Sequence, residues 1–156
     1  MRLTMPRDNL LKGRVSIPEQ IYHLTICTAG RKCWFADFRC ARIVVQRMRQ
    51  LHNDRFMDSL AWVLMPDHLH WLIQLGEGKR LADVVRLFKG GSARDLNRYL
   101  HRQGSIWQRG YYDHALRREE DIKQVARYLV ANPLRANLVQ HIEEYPHWDA
   151  IWLQDN

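Results

Sequence analysis

A chain of 156 residues can bury the core of one domain but not of two, so a single domain over 1–156, with its core at about 15–150, is expected. No apolar stretch nears a membrane span, the opening MRLTMPRDNLLKGR lacks a secretory signal's apolar centre, and three cysteines without Cys-x-x-Cys spacing argue against disulfides or structural zinc and for the cytoplasm. Lys and Arg outnumber Asp and Glu by 24 to 17, and the net charge of +7, mostly from arginine, points to a polyanion such as nucleic acid rather than to a merely soluble basic protein.

Residues 1 to about 18 read as an extension ended by Pro18. The β-branched run at 21–28 predicts a first strand. Phe38, Ala41, Val45 and Met48 follow helical spacing, which predicts a helix over 37–51. An apolar second strand at 59–64 leads into the tight turn Met65-Pro66-Asp67-His68, with proline preset for the first corner position.

The next strand carries the first chemical signal. In MPDHLHWLIQL, period-two alternation puts Leu69, Trp71, Ile73 and Leu75 on a core face and His68, His70, Leu72 and Gln74 on the other. Two imidazoles aimed at one point suit a metal ion. Eight histidines in this length would still give roughly 0.4 such pairs by chance, so the pair alone decides nothing.

Leu81, Val84, Val85 and Phe88 mark a second helix, which Gly90-Gly91 is expected to disturb before SARDLNRYL resumes it. A fourth strand is expected at 111–117 and a third helix at 119–131, with acids in its first turn and Pro133 as its stop. The tail EEYPHWDAIW should pack on the body. The order is βαββαβ plus a C-terminal helix, an α+β, ferredoxin-like arrangement with a mostly antiparallel sheet. That fold hosts many functions and settles none.

On the third helix, Ile122, Val125 and Leu129 form a buried stripe, and Gln124, Tyr128 and Asn132 share another face. A phenol and an amide meeting at the last turn, opposite two histidines, would supply a nucleophile and a third metal ligand. Two plainer roles are open: Tyr128 as an amphipathic core-edge residue, and Asn132 as the N-cap of a short helix opened by Pro133.

MPDHLHWLIQL, RLFKGGSARDLN and IWQRGYYDHALRREEDIKQVARYLVANPLRANLV occur in this order over nearly the whole chain. Together they resemble the REP-associated tyrosine transposases, relatives of the bacterial single-tyrosine transposases in the HUH nuclease superfamily. The resemblance implies that His68 and His70 bind metal with Leu69 between them, that Tyr128 is the nucleophile, and that Asn132 is the third ligand, where some relatives carry glutamine. It further implies Mg2+ or Mn2+, a single-stranded DNA substrate bearing hairpins, a cytoplasmic protein acting on nucleoid DNA, and a monomer or homodimer. The reaction would be strand cleavage and transfer through a 5′-phosphotyrosine.

A threaded strand needs a basic track and aromatic platforms. Lys89, Arg94 and Arg98, then Arg109, Tyr111 and Tyr112, are the candidates, and they fall in regions that help bind a hairpin foot in the resembled family. His114 is either a helper or a hydrogen-bonded structural residue. Tyr111 and Tyr112 rival Tyr128 on chemistry, but Tyr128 alone has a polar partner one helical turn on. Two other functions compete: a non-catalytic nucleic-acid binder, which leaves the histidine pair unexplained, and a metal-dependent phosphoesterase using water, which should carry a second histidine motif or carboxylate cluster.

Overall fold

The computed structural model describes residues 20–117 and 119–151; the expected N-terminal extension lies outside them. In chain order the elements are β1 (Ile21–Cys27), α1 (Phe38–Asn53), β2 (Met57–Met65), β3 (His68–Leu75), α2 (Leu81–Leu100), β4 (Tyr112–Leu116), α3 (Glu119–Val130), α4 (Asn132–Arg135) and β5 (Trp148–Ala150). The strands form one antiparallel sheet in the order β4-β1-β3-β2-β5. The first four strands and two helices are the expected ferredoxin-like unit. The fifth strand comes from the tail, where Trp148–Ala150 pairs with the outer edge of β2.

Each face of the sheet has its own cover. Leu24 and Ile26 of β1 and Leu69, Trp71 and Ile73 of β3 pack with Val44 and Met48 of α1 and with Val84 and Phe88 of α2. On the other face Ile21, Leu60, Val63, Leu72 and Leu116 pack with Ile122, Ala126 and Leu129 of α3. The histidine face is therefore half core: α3 covers Leu72, and the polar end of β3 lies beyond it. Two indoles on the α2 side are paired with serines. Trp71 Nε1 donates to Ser59 Oγ at 2.9 Å, and Trp107 Nε1 donates to Ser92 Oγ at 2.9 Å.

Local chemistry explains the element ends. Asp37 caps α1, its Oδ1 accepting from the Cys40 N–H at 3.0 Å. The turn between β2 and β3 is held from outside: Thr28 N–H donates to Asp67 O at 3.0 Å, and Phe35 N–H donates to Pro66 O at 3.0 Å. The α3–α4 junction is a corner at Ala131, after which Asn132 and Pro133 open a one-turn helix. Asn132 is therefore the first residue of that helix, and its cap position belongs to Ala131.

The glycine pair does not break α2, which runs unbroken over 20 residues. Gly90 has open space where a Cβ would sit, whereas a Cβ on Gly91 would lie 2.6 Å from Arg47 Nε. Bare backbone at 91 lets the Arg47 guanidinium lie across α2 and reach Asp95 Oδ2 at 2.7 Å. Gly90→Ala should accordingly raise stability by about 1 kcal/mol through helix propensity. Gly91→Ala should fall at least about 1 kcal/mol below Gly90→Ala in urea melts, because it must displace Arg47. Equal midpoints for the two variants would refute this packing.

Candidate active site

The site grows from the pairing of β1 with β3. That register sets Thr25 opposite His70 and Cys27 opposite His68, and it places His23 two residues along on the same face. β4 extends the row with Tyr112 opposite Thr25 and His114 opposite His23. His68 and His70 stand edge to face with ring centroids 4.9 Å apart.

Both imidazoles have the same ring nitrogen engaged. His68 Nδ1 lies 2.7 Å from Asp67 Oδ1, and Asp67 Oδ2 accepts from Arg31 Nε at 2.9 Å. His70 Nδ1 lies 3.1 Å from His23 Nε2 and 3.2 Å from Thr25 Oγ1. A carboxylate only accepts, so the His68 proton sits on Nδ1 and its Nε2 lone pair is left for a ligand. The partners of His70 Nδ1 allow the same tautomer.

Electrostatics keep His70 neutral. Burial, and then the charges of His68, His23, Arg135 and Arg31, push its pKa down to about 3. His23 is lowered as well, by burial and then by His114. Burial pushes the Asp67 carboxyl upward, but hydrogen bonds from His68 and Arg31 outweigh it and hold the group below its usual range.

The C-terminal end of α3, which packs on the same face of the sheet, carries the other candidate residues. Tyr128 is 63% exposed, while Leu129 beside it is fully buried, so the helix anchors on one side and presents the phenol on the other. Arg135, returning from α4, sets its guanidinium carbon 3.7 Å from the Tyr128 ring centroid and donates from Nη2 to the Tyr128 carbonyl at 2.6 Å. Asn132 Nδ2 is buried without a hydrogen-bond partner. Turned over, that amide would offer its oxygen in the same place.

The candidate DNA contacts divide between two surfaces. Tyr112 and His114 are exposed on the histidine face, with Arg109 exposed in the loop before them. Lys89, Arg94 and Arg98 stand on α2, which packs on the opposite face. Arg94 and Arg98 are exposed. Lys89 is committed internally: its ammonium donates to Gln108 O at 2.8 Å and to Gly110 O, 6.0 Å from the Tyr111 ring, and burial lowers its pKa. It anchors the loop that leads into β4.

Sequence reasoning missed His23, Thr25, Asp67, Arg31 and Arg135. The phase of β1 already separates His23, Thr25 and Cys27 from Leu24 and Ile26, but only the register with β3 brings them to the histidines.

Among known families, the one described as "Transposase IS200 like" matches residues 16–132, a span that contains both histidines and Tyr128 and ends on Asn132. This chain is an IS200-like transposase family member. It is 28% identical over 100 residues to a Haemophilus influenzae protein provisionally named a REP-associated tyrosine transposase, covering 58% of this chain and 57% of that protein. It is 26% identical over 104 residues to the REP-associated tyrosine transposase of Escherichia coli K12, covering 62% and 56%. The match thus spans little more than half the length of each of these curated relatives. Its fold matches that of a REP-associated tyrosine transposase solved bound to a REP hairpin, with a TM-score of 0.72 and 21% identity over 85% of this chain and 78% of that one.

The His70 environment makes a direct prediction for this IS200-like protein. In a metal-free NMR titration the His70 ring should stay neutral from pH 8 down to about pH 4, and a midpoint above 6 would refute the burial described. The unfolded chain protonates this ring near 6.5, so stability should be fully present above that pH and fall as pH drops towards about 3.

Proposed function

We infer that this protein cuts and rejoins single-stranded DNA beside hairpins, with Tyr128 as nucleophile and a 5′-phosphotyrosine as intermediate. One observation carries the reading: a histidine pair with both Nδ1 atoms engaged stands on the same face as a helix end that presents an exposed tyrosine and a buried, unpartnered amide. Family membership and the REP-hairpin complex of the structural relative support it.

Among the described residues, no three His, Cys, Asp or Glu side chains converge as a metal cluster. The donor set is instead two imidazoles and an amide, which suits an open site completed by substrate oxygen and water. His68 and His70 through Nε2, with Asn132 through its amide oxygen, would hold the ion. Family resemblance favours Mg2+ or Mn2+, although imidazole alone would also suit later transition metals. Such an ion would polarise the phosphorus centre and offset the charge on the leaving oxygen.

The residues of the chain do the rest. Asp67 fixes the His68 tautomer, and His23 and Thr25 hold the His70 ring in place through its Nδ1, so both imidazoles are oriented before substrate arrives. Tyr128 attacks phosphorus: its phenolic oxygen forms the new P–O bond, the P–O3′ bond breaks, and the 3′-oxygen leaves as a hydroxyl. The phenol gives up a proton as the 3′-oxygen gains one. One phosphodiester replaces another without water, so the strand can be rejoined by the reverse step. Tyr112 and His114, with Arg109 in the adjoining loop, would flank the scissile strand, and Arg94 and Arg98 would bind backbone phosphates on the far face.

Hairpin-bearing single-stranded DNA with Mg2+ or Mn2+ should yield a protein–DNA adduct that survives a denaturing gel. EDTA, His68→Ala, His70→Ala or Tyr128→Phe should each reduce it at least about 100-fold. An adduct that persists in Tyr128→Phe would overturn the nucleophile, and cleavage without any adduct would indicate a hydrolase. Binding without either reaction would indicate a non-catalytic DNA-binding protein. Asp67→Asn should weaken Mn2+ binding about 10- to 100-fold by calorimetry while leaving the fold intact. Unchanged affinity would show that Asp67 does not support the ion.

A further inference from the structure

Arg135 is an exposed arginine in an unusual position. From a one-turn helix it sets its guanidinium carbon over the Tyr128 ring at 3.7 Å, closer than a loose cation–π contact requires. One of its five N–H donors holds the Tyr128 carbonyl, an acceptor at the end of α3 that helix geometry leaves in need of a partner. Among the described residues no carboxylate pairs with it, unlike Arg31, Arg47 and Arg86. A guanidinium with no carboxylate partner among the described residues therefore lies against the ring of the exposed phenol.

We propose that Arg135 is a catalytic residue that binds a non-bridging oxygen of the scissile phosphate and presents that phosphate to Tyr128. The role rests on the strand-transfer reading above. A phosphate attacked by Tyr128 must come up to the phenol, and this guanidinium lies against the same ring. Its planar fork matches two phosphate oxygens, and the stack on Tyr128 holds the fork before substrate arrives. As the Tyr128 Oη–P bond forms and the P–O3′ bond breaks, negative charge gathers on the non-bridging oxygens. A fixed cation there stabilises the transition state more than the ground state. The contact to the Tyr128 carbonyl alone would make Arg135 a tether between α3 and α4, so the test must separate charge from tether.

The experiment compares single-turnover adduct formation by wild type, Arg135→Ala and Arg135→Lys on hairpin-bearing DNA. The scissile linkage is either the ordinary phosphodiester or an uncharged methylphosphonate. Arg135→Ala should be about 100-fold slower on the phosphodiester, with Arg135→Lys recovering part of the loss. On the methylphosphonate, which has no anionic oxygen to stabilise, the gap should shrink to within about threefold. Mn2+ affinity should not fall, since Arg135 is no ligand and its loss removes a positive charge, and circular dichroism should show the fold retained. An unimpaired Arg135→Ala overturns the role, as does a loss of equal size on both linkages, which is the mark of a tether. A wild-type protein that forms no adduct overturns the strand-transfer reading itself, and this role with it.

Discussion

The site depends first on the antiparallel register of β1 against β3. Side chains alternate with a period of two, so a slip of one residue would turn His23 and Thr25 into the α1–α2 core and bring Leu24 and Ile26 to the histidines. The large apolar groups on the core side resist that slip. Trp71 and Phe88, 5.2 Å apart, have room only on the face that the helices cover. Packing on one side of the sheet thereby sets hydrogen bonding on the other. No polar contact at His70 needs to be strong enough to hold the register, because the core already holds it.

The same two-sided arrangement explains a contrast within β3. Its Leu72 lies under α3 in a second apolar layer, whereas His70 lies two residues away beside His23 and Thr25. His70 is thus shielded enough to stay uncharged, and Tyr128 at the end of the covering helix stays exposed. A neutral, oriented imidazole and an accessible phenol are produced by one packing event, the docking of α3 through Ile122, Ala126 and Leu129.

Much of this was legible before any coordinates. The βαββαβ order, the face shared by His68 and His70, and the stripe that docks α3 follow from local periodicity, which depends only on neighbours in the chain. What periodicity does not carry is pairing between distant segments. His23 lies 47 residues from His70 in sequence, and Arg31 lies 36 residues from Asp67, so neither partnership leaves a local mark. The glycine pair in α2 misled for a related reason. Its meaning lies in Arg47 of another helix, which needs the missing side chain of Gly91. The three-residue strand β5 carries too few residues to show alternation, and it forms because β2 offers an edge.

The corner at Ala131 sets a distance that the primary sequence alone would get wrong. Arg135 follows Tyr128 by seven residues, and in an uninterrupted helix they would share a side but stand roughly 10 Å apart along the axis. Pro133 has no N–H with which to continue α3, and it is buried, so the long helix ends there and the one-turn α4 follows. Across this junction the Arg135 guanidinium carbon comes to 3.7 Å from the Tyr128 ring centroid. The proline thus sets where α3 stops, and the short helix that follows it carries the cation that stacks on the tyrosine.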